Sequence, residues 1–354
     1  MTITDRFCKS FARKPVATAK VYGRVNLIGE HTDYNGGAVL PAAITRSIHV
    51  GVAPNDSHLV AIKSARFEHK HERLLGDPKR GDWTDYAMGA VSKAEALGWI
   101  SGGIDLFIES DVPDGAGVSS SAALITAILR ASAEMASVQI DPVEVAKHAR
   151  AVENDYIGMP CGIMDQMAVG LSDPGSALAL DCHTLNYDVI DIPDTWSFVT
   201  LHSGVRRELA DGRYKARFEE CAQAAERLGA EELCLLDQSQ RSGLASLPEN
   251  LRKRAQHVTS EHNRVLAATA AMKAADINMF ARLMSESHYS YSQDFEASTP
   301  AIDALIDDAV ISGAKGARLT GGGFGGCIVV LLERSQEARW LELFLARHPE
   351  SWRV

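Results

Sequence analysis

No unbroken apolar stretch follows the basic residues near the N-terminus, where Asp5, Arg6, Lys9, Arg13 and Lys14 mix with isolated apolar side chains. A secretory leader needs such a stretch, so none is expected. Nor does any apolar run approach the length that spans a bilayer, and a cytoplasmic protein without a membrane partner is the expectation. The six cysteines, Cys8, Cys161, Cys182, Cys221, Cys234 and Cys327, form no CxxC pair and no cluster with histidine. That scatter argues against a disulfide scaffold and against a zinc site. His69 and His71 lie among Glu68, Lys70 and Arg73 and read as part of a solvated face rather than a metal pair. Positive charge is also short. With 36 Lys and Arg against 46 Asp and Glu, the net charge is −10, which disfavours nucleic acid as a general partner. Repeats of solenoid period and low-complexity tracts are absent too.

What remains is a chain of 354 residues, 46% hydrophobic and 23% charged, with ordinary globular composition and length for two packed domains. Alternation at Ile48, Val50 and Val52, at Val60 and Ile62, and at Ile104, Leu106 and Ile108 predicts strands. Asn55-Asp56-Ser57 reads as a hairpin turn between the first two. Ala122 to Ala136 is an apolar helix with Ser119 to Ser121 as candidate caps. A second helix begins near Asp141, with Pro142 in its first turn and Glu144 placed for a capping box, and runs to about Asn154. Strands return at Val189 to Ile192 and Phe198 to Leu201. Helical patterns then cover Tyr214 to Leu228, Arg252 to Met272 and Asn278 to Tyr289, the first stopped at Gly229. Without a regular βαβ rhythm, the pattern predicts an α+β fold in two lobes, 1–185 and 186–354, with the boundary near Asp181 to Pro193.

Three distant segments carry the chemistry. The first runs from Gly23 to Gly37, where a short apolar run delivers Glu30, His31, Thr32 and Asp33, with Tyr34 and Asn35 behind. Carboxylates and an imidazole in one loop suit a ligand with several hydroxyls; the alternative is a capped, solvated loop. The second, Pro113 to Ala123, holds Gly115, Ala116, Gly117, Val118, Ser119, Ser120 and Ser121 between a strand and an apolar helix. Glycines there let an anion approach the backbone and the helix N-terminus, although no lysine follows as in a P-loop. A serine-capped flexible turn is the alternative. The third, Leu319 to Cys327, has five glycines in six positions from Gly321 to Gly326, just before an apolar strand. Such a loop suits close approach of a phosphate or another loop. Between these, Asp165 is a lone carboxylate flanked by Met164 and Met167, either a helix N-cap or a catalytic group.

In this order the three segments resemble the signature motifs of the GHMP small-molecule kinases. Gly23 to Asn35 is similar to the galactokinase signature, and the likeness continues through Met159 to Gln166, Asp181-Cys182, Ser287-His288, Asp294-Phe295-Glu296 and Leu319 to Cys327. The resemblance implies a ribosomal-protein-S5-like N-terminal lobe, a ferredoxin-like C-terminal lobe and an active site between them. It implies galactose and ATP as ligands, Mg2+ as cofactor, and phosphoryl transfer to the sugar C1 hydroxyl. Glu30, His31, Thr32 and Asp33, with Tyr214, would bind the sugar. Gly115 to Ser121 would wrap the ATP phosphates, Ser121 and Glu153 would hold the metal, and Trp83 would lie near the adenine. Asp165 corresponds to the catalytic carboxylate, with Arg24 beside it to stabilise charge on the phosphoryl oxygens. Tyr22, Val118 and Ser292-Gln293 depart from the family pattern, and Tyr22 is expected to alter the turn that leads into the site. A kinase of a related sugar such as N-acetylgalactosamine, or a non-catalytic galactose- and ATP-binding regulator, remains an alternative on the same scaffold. A monomer is favoured.

Overall fold

The structure, a computed structural model, describes residues 1–205 and 210–354. Packing divides the chain into two units, each assembled from separate stretches of sequence. The first comprises Met1–Arg24, Ala43–Asp114 and Ser119–Pro174; the second comprises Val25–Ala42, Gly115–Val118 and Gly175–Val354. The mixture of strands and helices is the expected α+β class.

In the first unit the strand Gly103–Ser110 is central. It pairs antiparallel with Pro41–Asn55 and parallel with Leu59–Ser64, which in turn pairs antiparallel with Lys70–Leu74. Ile104, Leu106 and Ile108 are buried, and so is Phe107 on the opposite face, because the helix Ile3–Phe11 lays Ile3 and Phe7 against it. A capping box between Thr2 and Asp5 starts that helix. The helices Thr84–Ala96, Ser120–Met135, Pro142–Ala151 and Met164–Leu171 pack on one another through alanine-rich faces.

Several local expectations change here. The residues after Asn55 turn, but not as a hairpin, since Gly103–Ser110 inserts between the strands on either side. Gly103 permits this: a Cβ there would run into Asn55 Oδ1 and come within 2.8 Å of the Leu59 carbonyl. Arg73 is not solvated. It is 1% exposed, and its guanidinium donates to Asp85 at 2.6 Å, Thr84 at 3.0 Å and the Pro78 carbonyl at 2.8 Å. Asp141 caps its helix by accepting from the Val143 amide, while Glu144 pairs with Lys147 instead of closing a box. That α-helix ends at Ala151 and continues as a π-turn, Val152–Ile157. Tyr22 lies within the strand Ala17–Asn26 rather than in a turn, and its ring lies under the Lys20 ammonium.

In the second unit a four-stranded antiparallel sheet has the order Gly316–Leu319, Cys327–Glu333, Trp196–His202, Trp352–Arg353. Val199, Leu201, Ile328, Val330 and Leu332 meet Leu251, Ala255 and Val258 from the helix Glu249–Lys273. Tyr291 and Phe295 join the same core from the end of the helix Ile277–Gln293. Gly316 lets that sheet lie close to the helix, because a Cβ would come within 3.0 Å of the Ala281 carbonyl.

Candidate active site

The first unit gathers Arg24, Ser121, Glu153 and Asp165 from four elements. Arg24, near the end of its strand and 4% exposed, places Nε 2.8 Å and Nη2 2.6 Å from Asp165 Oδ1. Both contacts fall on one oxygen of a carboxylate whose side chain is 32% exposed. Asp165 is not a cap: the cap position belongs to Ile163, which makes no side-chain cap bond, and Asp165 lies inside the first turn of Met164–Leu171. An acidic group there is favoured by the helix dipole.

Glu153 sits in the π-turn, 6% exposed, where such bulges often mark functional positions. The Ser121 hydroxyl donates to its Oε1 at 2.6 Å, and the Gln166 side-chain amide donates to Oε2. Burial pushes the Glu153 carboxyl up to about 7, with Asp165 adding to the rise and the Ser121 and Gln166 hydrogen bonds opposing it. Gln166 itself is fully buried, and its Oε1 has no hydrogen-bond partner among the described residues. Ser119 stands at the cap position of Ser120–Met135 with φ +60°, yet its side chain makes no cap bond. Its buried hydroxyl is likewise unpartnered among the described residues. The first-turn amides of that helix therefore have neither an intrahelical acceptor nor a serine cap from residue 119. Trp83 stacks on Phe67 with centroids 5.2 Å apart, and His71 meets its edge at 5.6 Å.

The second unit holds the polar loop after Asn26. Glu30 is 2% exposed, and its Oε1 accepts from the Gly321 amide at 2.6 Å and faces Arg318 Nη1 at 3.3 Å. Asn26 donates to the other oxygen. His31 has φ +62° and is 5% exposed, with Nδ1 2.7 Å from the Tyr34 hydroxyl and Nε2 3.1 Å from that of Tyr291. Burial holds its pKa well below the usual range, helped by the charge of Arg217 and Arg318 nearby, so the ring is neutral. Phe295 packs at 4.3 Å and Tyr214 at 5.4 Å from the His31 ring, measured between centroids. Thr32 donates to the Gly29 and Ala38 carbonyls and ties the loop closed, and Asp33 opens a one-turn 3-10 helix in a half-buried position.

Sequence patterning did not single out the groups that fix this loop from below. Glu261 Oε1 accepts from the Gly29 amide at 2.9 Å and from Ser287 at 2.6 Å, while Arg264 holds its other oxygen at 2.7 Å. Burial would raise the Glu261 carboxyl, but Arg264 and Arg318 outweigh it and bring it down to about 2. Nothing within each helix or strand announces Glu261 or Arg318, since both act across a sequence distance no local pattern reports.

The glycine cluster is required by contact. Gly323 has φ +82°, and a Cβ there would lie 2.7 Å from both the Ala297 carbonyl and the Tyr291 hydroxyl. Gly323→Ala is therefore expected to cost about 1–3 kcal/mol, read as a lower denaturant midpoint at unchanged slope. An unchanged midpoint would mean that the loop is not held as described. Among the described residues no group of three or more His, Cys, Asp or Glu is placed to hold a metal, and no helix is long and apolar enough to cross a membrane.

Comparison with known proteins places these residues in a wider set. Residues 5–54 match the galactokinase galactose-binding signature, 85–173 the GHMP kinases N terminal domain, and 268–349 the GHMP kinases C terminal domain. A galactokinase of Roseiflexus sp. (strain RS-1) is 39% identical over 342 residues, which cover 94% of this chain and 88% of that protein. The crystal structure of Lactococcus lactis galactokinase complexed with galactose superposes with a TM-score of 0.90 at 29% identity, over 99% of this chain and 96% of that one. Methanococcus jannaschii mevalonate kinase shares the fold alone, at 17% identity and a TM-score of 0.69 over 95% and 96% of the two chains.

Proposed function

The chain belongs to the galactokinases of the GHMP kinase family and is an ATP-dependent sugar kinase, and from that premise we propose that it moves the γ-phosphate of ATP to the C1 hydroxyl of D-galactose. The products are galactose 1-phosphate and ADP. The observation that carries this reading is the Arg24–Asp165 pair, in which both guanidinium contacts fall on Oδ1. The second carboxylate oxygen is thereby left to accept the proton of the attacking hydroxyl. Arg24, already aligned by the aspartate, serves the developing charge on the phosphoryl oxygens. Phosphoryl transfer asks for this positioning and neutralisation more than for covalent chemistry by the protein.

Gly115 to Ser121 bind the ATP phosphates in this reading, through backbone amides and the uncapped start of the helix Ser120–Met135. Trp83 and Phe67 offer a flat aromatic surface toward the adenine. Glu30, His31, Thr32, Asp33 and Tyr214 form the sugar end. Glu30 and His31 are held rigidly by protein partners, so a sugar hydroxyl that reaches them meets groups of fixed direction.

A divalent cation fits Ser121 and Glu153. Two hard oxygens converge there, and the burial that lifts the Glu153 carboxyl to about 7 is the penalty a nearby cation would remove. Magnesium bound with a nucleotide commonly takes only one or two protein ligands, which this pair supplies. When bound, it neutralises charge on the nucleotide phosphate oxygens. Glu153→Gln is expected to raise the magnesium concentration needed for half-maximal activity about tenfold or more, while the galactose KM moves less than threefold. An unchanged magnesium titration would make Glu153 a structural residue. The reading as a whole is tested by incubating the purified protein with galactose, ATP and magnesium. It requires one ADP per galactose 1-phosphate formed, and ATP hydrolysis without sugar phosphate would refute it. The cytoplasm is the expected compartment and a monomer the expected state.

A further inference from the structure

We infer that Tyr291 is a positioning residue for sugar binding, whose hydroxyl fixes the His31 tautomer and joins it to the Gly321 peptide; this rests on the sugar-binding reading of His31. Tyr291 is fully buried in the last turn of the helix Ile277–Gln293, with its ring packed against His257 and Phe295. The hydroxyl lies between two polar groups, donating to the Gly321 carbonyl at 2.8 Å and standing 3.1 Å from His31 Nε2. A phenol has one proton. If it goes to Gly321, the oxygen accepts from His31, and Nε2 must carry the hydrogen. The buried ring is neutral, so Nδ1 is bare and accepts from Tyr34 at 2.7 Å. Burial pushes the Tyr34 hydroxyl well above its usual pKa, so that donor keeps its proton.

The chain of donation is thus Tyr34 to His31 to Tyr291 to the Gly321 carbonyl. The opposite tautomer would require Tyr291 to donate to Nε2, which strips the Gly321 carbonyl of this donor. The same Gly321 residue donates its amide to Glu30 Oε1 at 2.6 Å. One buried hydroxyl therefore constrains both the imidazole and the loop that holds the Glu30 carboxylate. Gly323 is what lets the phenol reach this place, since a side chain there would meet the hydroxyl.

The test combines spectroscopy with kinetics. In protein labelled with 13C,15N-histidine, the His31 ring, identified by loss of its signals in His31→Gln, is expected to carry its hydrogen on Nε2. Tyr291→Phe keeps the ring packing and removes the hydroxyl that joins His31 to the Gly321 carbonyl. It is expected to lift that tautomer preference and to raise the galactose KM about tenfold, with the ATP KM within twofold. A wild-type His31 protonated on Nδ1, or on both nitrogens, overturns the inference. So does a Tyr291→Phe protein whose galactose KM is unchanged, or whose galactose and ATP KM rise together, as a merely structural loss would produce. If Tyr291→Phe does not fold, the wild-type tautomer decides. Failure of wild-type protein to phosphorylate galactose would instead refute the sugar reading, and the tautomer would still be measurable.

Discussion

Asp165→Asn is expected to lower turnover by roughly 10²–10⁴-fold, the usual worth of a positioned acid–base group. The substitution is chosen because it changes little else. The amide oxygen of asparagine can still accept from Arg24 at the place where Oδ1 accepts now, at 2.6 and 2.8 Å. Helix packing around Met164–Leu171 is untouched, because residue 165 is partly exposed while Met164, Gln166 and Met167 carry the burial. ATP and galactose should bind nearly as before, and the loss should appear in kcat. Near-normal turnover with a native fold would remove Asp165 from the chemistry and leave it as a partner that only orients Arg24.

Much of this arrangement was legible in the sequence, for identifiable reasons. Alternation at Ile104, Leu106 and Ile108 marked a true strand, and the alanine-rich run after Ser121 a true helix, because burial on one or both faces writes itself into periodicity. The glycines at Gly321 to Gly326 announced a close-packed loop, and Gly323 does meet another chain segment. Other features left no local mark. Arg73 looked like a surface charge, and only the fold supplies Asp85, Thr84 and Pro78 around it. The turn after Asn55 looked like a hairpin because nothing near it says that Gly103–Ser110 will insert between the strands. Glu144 satisfied the spacing of a capping box, but a lysine three residues on competed for it. Motif reading likewise found the members of the site that share one short loop and missed their supports. Glu30 and His31 were visible in one loop, whereas Arg318 and Tyr291 reach them, and Glu261 reaches the neighbouring Gly29, from distant elements.

Those supports bear on which sugar is read. Galactose and glucose differ only in the direction of the C4 hydroxyl, so a site can separate them only if its partner groups do not follow the hydroxyl when it moves. Here they are held. Glu30 is fixed by Gly321, Arg318 and Asn26, His31 by Tyr34 and Tyr291, and Thr32 by two backbone carbonyls. A rigid polar site pays twice for a misplaced hydroxyl, because the ligand group and the protein group both lose their partner. Discrimination of roughly 10⁴–10⁵ is attainable in this way, far beyond what shape alone gives in an apolar pocket. An N-acetyl group at C2 is expected to be rejected as well, by the same fixed loop around Asp33.

The central claim, that this is a kinase whose sugar loop reads galactose, is tested most directly by kcat/KM for galactose, glucose and N-acetylgalactosamine on the wild-type protein with saturating ATP and magnesium. The expected result is efficient phosphorylation of galactose, with glucose lower by roughly 10⁴-fold or more and N-acetylgalactosamine also well below galactose. Equal efficiency for glucose or N-acetylgalactosamine would contradict the assignment of galactose.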